Sequence, residues 1–356
     1  MSEDVWSATD TNPDAIDAAL RSLLRRRHAA DRAQAPARVL NLIVIVDSEW
    51  KAEVSERLKH VGRYHASRTI LCSIEQGRTS LDAVATLATE EGAGGGVRPV
   101  RERVDIDLGS EQVGRLDTIV DPVLVSELPT MLWSPNGHED AVEALVPLTD
   151  VILLDSDSLE ADRSLGRADE LRQSVYMVDL AWLRTTPWRE RLAASFDLPA
   201  RSGALSELSG VCVRHHRDSL ASAALMAGWL ATRLDWDVEP LRSLNGAGCA
   251  GMARAHDDGH EIEISLVPVD QQVPGLAGVT VRWDEGCSLS LDRGTGGLCA
   301  SEQASGRQEQ TWQVLGASRG EAGILGEGVR QALLRDATYP PALDRALELR
   351  GVAARA

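Results

Sequence analysis

An extended apolar segment near the start of the chain is the feature that most restricts how it can fold. Residues 39–47 read VLNLIVIVD, and a continuous apolar run is typical of a strand that is covered on both faces. Similar segments predict further strands at 69–74, 104–108, 130–133, 151–155 and 175–180. Helices are predicted between them, at 50–61 and 80–89 and around Ala141 and Ala168. This alternation predicts a doubly wound, mostly parallel sheet with helices on both faces.

The second half of the chain has a different pattern. A strand, GVCVRH, leads into an apolar helix over 219–234 that we expect to be buried, and four strand segments follow: HEIEISLVPV, GVTVRW, CSLSLDR and TWQVLG. The Asp-Asp-Gly and Asp-Glu-Gly turns at 257–259 and 284–286 are typical of hairpins. Helices are predicted at 322–334 and 341–349. We therefore expect an α+β domain with a largely antiparallel sheet.

These patterns divide the chain into three regions. We predict an N-terminal helix and connection over residues 1–36, a Rossmann-like α/β domain over 37–197 and an α+β domain over 198–356. The first helix is expected to begin after Asn12, a favourable N-cap residue that is followed by Pro13. Residues 185–203, TTPWRERLAASFDLPARSG, contain turn-forming residues and a Pro- and Gly-flanked break, so we place the domain boundary there.

Charge and cysteine content argue against several classes of function. The 356-residue chain has a formal net charge of −17, whereas nucleic acids and anionic membranes bind through basic patches. The five cysteines include no CxxC pair and do not resemble the disulfide framework of a secreted protein. The acidic start, MSEDVWSATDTNPD, lacks the pattern of a signal peptide. We therefore expect a cytoplasmic protein with no nucleic-acid or membrane partner.

Three motifs suggest chemistry, and each has a simpler explanation. The GxGxxG within NGAGCAG at 245–251 has no apolar strand before it and no long helix after it, as a dinucleotide site requires. The HxxxH at 256–260 spans a hairpin turn, which favours a solvated loop over a metal site. HHRDS at 215–219 lacks a nucleophile elbow, and its Asp or Ser is expected to cap the next helix. We predict no catalytic residue, metal or cofactor.

Polar residues also cluster at the predicted carboxyl ends of the parallel strands, where doubly wound sheets bind ligands. They are Asp47, Ser48, Glu49, Trp133, Ser134, His138, Asp155, Ser156, Asp157 and Asp179. Carboxylates and hydroxyls with one imidazole suit a polyol or a cation, but many of these residues are also expected helix N-caps. The residues after the first strand, Asp47-Ser48-Glu49-Trp50, place bulk and negative charge where a phosphate would bind. This argues against a nucleotide.

Two segments rich in arginine and aromatic residues are candidates for binding another protein. One is VGRYHASRT at 61–69, and arginine and tyrosine are enriched in binding hot spots; its alternative role is packing and pairing with the acidic surface. The other is TPWRER at 186–191, which is either a strut between domains or a partner contact. The predicted interface or ligand-crevice residues are Arg63, Tyr64, His65, Arg68, Trp133, His138, Trp188 and Arg189.

Five stretches together resemble the glucose-6-phosphate dehydrogenase assembly protein family, OpcA. They are ARVLNLIVIVD, VGRYHASRTI, LDTIVDPVLVSELPTMLWSPNGH, VYMVDLAWLRTTPWRERLAASFD and VCVRHHRDS. The resemblance covers residues 37–234, with a weaker match beyond. It implies a non-catalytic partner that promotes assembly or allosteric activation of glucose-6-phosphate dehydrogenase, and so supports the oxidative pentose phosphate pathway and NADPH supply. Few lysines and many arginines and alanines indicate the actinobacterial type.

Two other classes of function stay open at this point. A ligand-sensing protein or an enzyme would bind a sugar phosphate or a nucleotide at the strand-end crevice, and a scaffold would bind the dehydrogenase without changing its kinetics. The resemblance also raises redox control, because cyanobacterial members of the family are regulated through cysteines by thioredoxin. Cys72 is predicted to be a buried strand thiol, so Cys287 and Cys299 are the better candidates for such control.

Overall fold

The structure is a computed structural model that describes residues 2–30, 34–35, 38–61, 67–89, 98–135, 137–158, 160–197, 201–244, 248–284, 286–315, 320–331 and 334–352. The chain divides into two compact units. The first unit comprises residues 1–154, 174–178 and 321–334, and the second comprises 155–173, 179–320 and 335–356. The boundary predicted near residue 197 therefore falls within the second unit.

Strands and helices alternate through the first part of the chain. In order, they are β1 (Ser2–Ala8), α1 (Pro13–Ala30), β2 (Gln34–Ala35), β3 (Leu40–Asp47), α2 (Lys51–Val61), β4 (Ser67–Glu75), β5 (Asp82–Thr89), β6 (Arg98–Gly109), α3 (Leu116–Val120), β7 (Thr130–Trp133), α4 (Glu139–Leu145), β8 (Val151–Leu154), α5 (Ala161–Arg172) and β9 (Tyr176–Asp179).

Strands predominate in the remainder, between helices at its start and its end. In order, the elements are α6 (Leu180–Phe196), β10 (Leu208–His216), α7 (Leu220–Arg233), β11 (Trp236–Val238), β12 (Arg242–Ser243), β13 (Cys249–Ala255), β14 (Glu261–Val269), β15 (Leu276–Trp283), β16 (Cys287–Gly294), β17 (Gly297–Gln303), β18 (Gln310–Leu315), α8 (Glu321–Gln331) and α9 (Tyr339–Arg350).

The first sheet confirms the predicted mostly parallel architecture. Its strand order is β1-β5-β6-β4-β3-β7-β8-β9, with β2 beside β6. The pairs β3–β4, β4–β6, β3–β7 and β7–β8 are parallel, whereas β1 and β5 add antiparallel strands at one edge. Every residue of β3 from Leu40 to Val46 is buried, as expected for a strand covered on both faces. Asn12 Oδ1 accepts a hydrogen bond from Ala15 N at 3.0 Å, which confirms the predicted N-cap of α1.

The second sheet confirms the predicted largely antiparallel architecture. Its order is β11-β13-β14-β10-β15-β16-β17-β18, with β12 beside β13, and the β10–β14 pair is parallel. Helix α7 packs on β10 and β14, and its residues 221–228 are all buried. The apolar character of α7 on every side thus reflects its position in the core, as predicted. Among the described helices, none has the length and apolarity needed to cross a membrane.

Residues 82–89 form a strand, so the helix predicted at 80–89 was wrong. Ala83, Ala85 and Leu87 are buried and alternate with part-exposed residues, which is the period of two expected of a strand. Alanine and leucine have high helix propensity, but β5 pairs with β1 on one side and with β6 on the other. Pairing on both edges therefore overrides the local preference.

Much of the segment 185–203, which was interpreted as a break between domains, is helical. Helix α6 continues through it to Phe196 and contains Pro187. Proline has no N–H to donate and usually disturbs a helix interior, so its presence favoured the turn in the sequence analysis. Strands β1, β13 and β17 were also not predicted, and β13 begins at Cys249, within the Gly-rich segment that was interpreted as a loop.

Candidate functional site

The strand order places a topological switch point between β3 and β7. From β3 the chain moves to β4 and then β6 on one side, and it later returns to β7 on the other side of β3. Ligands of doubly wound sheets bind outside the carboxyl ends of the strands at such a point. Asp47 is the last residue of β3 and Trp133 is the last residue of β7. A ligand crevice at this switch point would therefore be formed by the residues that follow Asp47 and Trp133.

Asp47 and His138 meet at this switch point. His138 Nε2 lies 3.3 Å from Asp47 Oδ1, and the two side chains are 20% and 42% exposed. The backbone N–H of His138 donates to Ser134 Oγ at 3.3 Å, which fixes the turn between β7 and α4. A carboxylate beside an imidazole can bind the hydroxyl groups of a polyol or exchange a proton. Sequence reasoning placed both residues at strand ends, and the structure brings them together.

The chain around this pair lacks the features that bind a phosphate. Residues Ser48–Trp50 form a 3₁₀ turn directly after β3, and the segment contains no glycine. A phosphate at such a position needs free backbone N–H groups and no facing carboxylate, whereas Asp47 and Glu49 supply negative charge. The ammonium of Lys51 is paired with Asp107, with Nζ 2.5 Å from Oδ1. These residues do not fit the pyrophosphate of a dinucleotide.

Trp133, a predicted site residue, supports the end of β7 from inside. Its side chain is only 1% exposed, and the guanidinium carbon of Arg57 lies 5.3 Å from the centroid of its ring. This arrangement is a cation–π contact. Trp133 therefore offers almost no surface to a ligand or to another protein.

Three other predicted strand-end residues, Asp155, Asp157 and Asp179, form a largely buried group with Arg184 in the second unit. We call these four residues the carboxylate cluster. Arg184 donates to both oxygens of Asp155 at 2.7 Å, and its Nη1 lies 3.7 Å from Asp157 Oδ2. Ser222 donates to Asp157 through its backbone N at 3.0 Å and through its Oγ at 2.5 Å. Asp157 thereby accepts a hydrogen bond from the first turn of α7.

Asp179 is the most enclosed member of the carboxylate cluster, with 1% of its surface exposed. It accepts hydrogen bonds from Ser156 N at 3.1 Å and from Ser156 Oγ at 2.7 Å. The N–H of Ala181 and the hydroxyl of Tyr339 also donate to it, at 2.9 Å and 3.1 Å. The hydrogen bond from Ala181 N caps α6. Four donors thus satisfy this carboxylate without any ligand.

Burial changes the protonation of two members of the carboxylate cluster. Loss of solvent raises the pKa of Asp157 to about 7, and the charge of Asp155 adds to the rise. Loss of solvent also raises the pKa of Asp179 to about 6, although hydrogen bonds from Ser156 oppose the rise. Such pKa values are common at functional sites, but structural networks produce them as well. Because the protein already supplies the donors, the carboxylate cluster acts chiefly as a structural anchor.

Of the four predicted partner-binding residues in the segment 61–69, Arg68 lies among the described residues, whereas Arg63, Tyr64 and His65 lie outside them. Arg68 is part of β4 and is 5% exposed. It donates to Glu102 Oε2 at 2.9 Å and to Val123 O at 2.7 Å. Arg38 binds the same carboxylate at 2.5 Å. Arg68 therefore stabilises the interior of the first unit and presents little surface to a partner.

Trp188 and Arg189, the second predicted segment, lie within α6. Trp188 is 2% exposed. The guanidinium carbon of Arg189 lies 3.5 Å from the centroid of the Trp182 ring, and the side chain donates to Thr185 Oγ1 and Thr186 Oγ1. Burial lowers the pKa of Arg189 to about 10. Both side chains thus have internal partners in the second unit.

The structure describes most residues of the three motifs that suggested chemistry. Residues 245–247 lie outside the described residues, but Gly251 belongs to strand β13 rather than to a helix, so the GxGxxG does not have the dinucleotide context. His260 Nδ1 lies 2.6 Å from Asp258 Oδ1 in an exposed hairpin. Ser219 precedes α7 as expected of a cap, but its Oγ accepts from Gly275 N. Cys72 is fully buried as predicted, and burial raises its pKa to about 12.

Arg184, Ser222 and Tyr339 are the site residues that sequence reasoning missed. Each reaches the carboxylate cluster from a different helix, at separations of 29 residues for Arg184–Asp155 and 160 for Tyr339–Asp179. No short motif carries that information. The one available signal was the need of a buried aspartate for donors, which predicts partners without identifying them.

Fold and site together define a class: a two-unit α/β protein with a doubly wound sheet, in which the described residues directly after β3 form no phosphate-binding loop. Its fold is similar to that of an oxidoreductase from Sinorhizobium meliloti, with a TM-score of 0.51, 10% identity, and coverage of 89% of this chain and 95% of that one. At this identity the likeness concerns the fold alone.

The family models match in two consecutive blocks. The glucose-6-phosphate dehydrogenase subunit N-terminal domain matches residues 58–172, and the C-terminal domain of the same subunit matches residues 175–343. The chain therefore belongs to the glucose-6-phosphate dehydrogenase assembly protein family, OpcA, as its sequence resemblance indicated. The actinobacterial type stays a prediction.

Two cyanobacterial relatives carry the description OxPP cycle protein OpcA. The protein of Nostoc punctiforme is 29% identical over 163 residues, which are 44% of this chain and 35% of that protein. The protein of Synechococcus elongatus is 27% identical over 259 residues, which are 68% of this chain and 58% of that protein. The chain thus matches less than two thirds of the length of either relative.

Proposed function

We propose that this chain is a non-catalytic cytoplasmic factor that binds glucose-6-phosphate dehydrogenase and favours its active or assembled state. In this role it supports the oxidative pentose phosphate pathway and the supply of NADPH. The single observation that carries the proposal is the match of both domains of the dehydrogenase subunit family across residues 58–343. The relatives are described as proteins of the OxPP cycle, which agrees with this assignment.

The switch point supports a non-catalytic role. A dinucleotide enzyme with this fold needs a phosphate-binding turn after its first parallel strand, and this chain has Asp47-Ser48-Glu49 there. The strand-end carboxylates at Asp155 and Asp179 are occupied by Arg184 and by Ser156 and Tyr339. These two observations, a first strand end without a phosphate-binding turn and strand-end carboxylates that already have partners in the chain, support a non-catalytic role.

The chain can activate the dehydrogenase if it binds the active state of the enzyme more tightly than the inactive state. A partner shifts an equilibrium between two states of an enzyme by binding one of them more tightly. A coupling free energy of about 1–3 kcal/mol changes affinity about five- to 150-fold. The proposed contact is the segment that contains Arg63, Tyr64 and His65, because Arg68, Trp133 and Trp188 are buried and Arg189 already binds Trp182, Thr185 and Thr186.

The test is a titration of the cognate dehydrogenase with this chain at sub-saturating glucose 6-phosphate. We expect a saturable rise in rate that the double substitution Arg63→Ala with Tyr64→Ala weakens. Arg21→Ala is the matched control, because Arg21 is 73% exposed on α1 and lies outside the proposed contact. Co-elution without any change in rate would replace activation by a scaffold role. A rise that survives the double substitution would remove the proposed contact.

One observation favours a second candidate, a sensor of a small polyol or of the sugar hydroxyls of a sugar phosphate, whose phosphate would lie away from Asp47 and Glu49. Asp47 and His138 meet at the switch point, with one carboxylate partly exposed. A ligand at 100 times its dissociation constant stabilises the fold by about 2.7 kcal/mol. Thermal unfolding with and without glucose 6-phosphate and 6-phosphogluconate tests this candidate. A shift that Asp47→Asn abolishes would support it, whereas unchanged unfolding temperatures would exclude it.

A further inference from the structure

The first sheet ends in a strand with a free edge. Strand β1 pairs with β5 and is the last strand in the order of the sheet. No strand among the described residues pairs with its other side, which we call the β1 edge. A free edge exposes backbone N–H and C=O groups, and natural proteins usually shorten it, bend it with a bulge or protect it with lysine or proline. The seven residues Ser2–Ala8 contain no lysine or proline and stay in register with β5 throughout, so the β1 edge can accept another strand.

The last turn of helix α1 lies over the start of β1. Arg27 is buried, and its Nε lies 3.1 Å from Asp4 Oδ2. Its Nη1 donates to Leu87 O at 3.0 Å. Asp4 and Leu87 are direct partners in the β1–β5 ladder, so Arg27 fixes the end of the helix on this pair. The same contact neutralises the charge of Asp4.

Two arginines beside Arg27 have no such contact. Arg25 and Arg26, which we call the arginine pair, are exposed, and their side chains have no partner among the described residues. One turn earlier, Arg21 is neutralised by Asp17, with Nη2 2.8 Å from Oδ2. The helix dipole favours cations in a last turn, but it does not account for a free strand edge beside them. The arginine pair therefore forms an unpaired positive patch in a chain whose net charge is −17.

The position of the arginine pair determines which strand the β1 edge would favour. An added strand lies about 4.8 Å from β1, and its alternate side chains point to the side of the sheet that α1 covers. Arg25 and Arg26 belong to the same helical turn as Arg27, which contacts Asp4 on that side. Acidic side chains at alternate positions of the added strand would complement their charge. On the opposite side Val5 is 55% exposed and offers an apolar cross-strand contact.

The β1 edge and the contact proposed above lie toward one end of the first sheet. One row of direct partners crosses four neighbouring strands: Asp4, Leu87, Glu102 and Arg68. Residues 62–66, which include the proposed contact, precede β4, and β4 begins at Ser67, one residue before this row. Four strands about 4.8 Å apart span only about 14 Å. One partner can therefore bind at both places.

We propose that an extended acidic segment of the dehydrogenase adds to the β1 edge as a further strand, with its carboxylates facing the arginine pair. This assignment rests on the proposed function and gives it a second contact. Strand addition supplies affinity through backbone hydrogen bonds and selectivity through alternate side chains. A second copy of the chain fits less well. The acidic side chain that its β1 would present on that side is Asp4, which Arg27 of the same copy already binds.

Hydrogen exchange of the full chain, alone and with the cognate dehydrogenase, tests the strand addition. In an antiparallel pair alternate residues direct their N–H groups away from the partner, so about three amides of residues 2–8 should exchange freely in the chain alone. We expect these amides to exchange about tenfold more slowly in the complex, or slower still. Strand β18 (Gln310–Leu315) ends the order of the second sheet. It is the matched edge, and its exchange should not change.

Charge reversal tests the arginine pair. The double substitution Arg25→Glu with Arg26→Glu should weaken binding of the dehydrogenase about tenfold at low ionic strength, and added salt should reduce this difference. The control is Arg233→Glu with Arg242→Glu. It makes the same change in net charge at exposed arginines of α7 and β12 and should have little effect on affinity. Circular dichroism checks that both variants are folded.

Four outcomes would count against the strand addition. A complex in which the β1 amides exchange as fast as in the chain alone would overturn it and leave the proposed function in place. Equal losses of affinity for the two double variants would also overturn it, because long-range repulsion would then explain both. Protection of β1 in the chain alone at high concentration would assign the β1 edge to a second copy. Absence of any binding would contradict the proposed function and, with it, this inference.

Discussion

Ser222 and Asp157 are 65 residues apart in the chain and are joined by two hydrogen bonds, from Ser222 N at 3.0 Å and from Ser222 Oγ at 2.5 Å. Ser222 lies in the first turn of α7, where backbone N–H groups have no partner within the helix. The Asp157 carboxylate therefore acts as a cap supplied by a distant segment. It also lies at the positive end of the helix dipole.

Loss of this cap should destabilise the second unit. Asp157→Ala leaves the N–H of Ser222 unsatisfied in a buried position, so we expect a decrease of about 2–3 kcal/mol in the free energy of unfolding. Urea unfolding measures it. Asp218→Ala is the control, because the Asp218 side chain is 86% exposed, and it should change the free energy by less than about 0.5 kcal/mol. Equal effects of the two substitutions would contradict the capping role.

The raised pKa of Asp157 predicts how stability depends on pH. Its pKa is about 7 in the folded chain and 3.8 in the reference state, so the folded state binds more protons between these values. The contribution of Asp157 to the free energy of unfolding is then fully present below about pH 4, decreases as pH rises toward 7, and is constant above pH 7. Asp157→Asn removes this dependence, so we expect the wild type to lose on the order of 2–4 kcal/mol relative to the variant.

Unfolding free energies of the two proteins between pH 4 and pH 8 test this prediction. Asp179, whose pKa is about 6, shifts the stability of both proteins in the same direction and largely cancels in the difference. A difference that does not change with pH would show that Asp157 titrates normally in the folded chain. A wild type that gains stability relative to the variant as pH rises would show that the pKa of Asp157 is lowered, not raised, in the folded chain.

A pair of glycines in helices of the second unit tests the packing of α7. A Cβ atom at Gly228 would lie 2.3 Å from Ala342 O and 2.8 Å from Ala346 N, both backbone atoms of α9, whereas one at Gly166 in α5 meets only Val352 Cγ1 at 3.7 Å. We expect Gly228→Ala to cost about 3 kcal/mol. Gly166→Ala should stabilise by about 0.5–1 kcal/mol through helix propensity. Thermal unfolding would refute the packing if both substitutions stabilised the chain.

Substitution of Arg68 tests whether this arginine stabilises the interior of the first unit. Its removal leaves Glu102, which is 1% exposed, with Arg38 as its remaining cationic partner. Because Glu102 then keeps only one of these two arginines and the Val123 carbonyl loses a buried donor, we expect Arg68→Ala to lower the free energy of unfolding by about 2–3 kcal/mol. Arg78→Ala should cost less than about 1 kcal/mol, since Arg78 makes surface ion pairs with Glu75 and Asp82. Similar small losses for both would contradict the interior role of Arg68.

The fold could be predicted from the sequence wherever the spacing of the apolar residues fits only one type of element. The continuous run in β3 and the alternation in β15 indicated the parallel and the antiparallel sheet, because burial on two faces or on one leaves a distinct pattern. The segment Asp82–Thr89 was not predictable by the same means. Its alanines suit a helix or a strand, and only its pairing with β1 and β6 settles the choice.

The candidate site was predictable in part for a related reason. Strand ends meet at one edge of a parallel sheet, so the sequence located Asp47, Asp155 and Asp179 at such ends. It did not locate Arg184 or Tyr339, because helices bring them in from distant parts of the chain. Trp188 and Arg189 resembled an exposed hot spot, yet the Trp182 ring lies only 3.5 Å from the Arg189 guanidinium inside the unit.

Binding to the dehydrogenase is the central claim, and isothermal titration of the cognate enzyme with this chain tests it most directly. We predict saturable heat with a defined stoichiometry, and a rise in enzyme activity over the same range of concentration. If the chain favours the active state, glucose 6-phosphate should bind the complex more tightly than it binds the free enzyme. By linkage, glucose 6-phosphate should raise the affinity of the enzyme for the chain by the same factor. Absence of heat and of co-migration at every concentration would contradict the assignment of this chain as a partner of glucose-6-phosphate dehydrogenase.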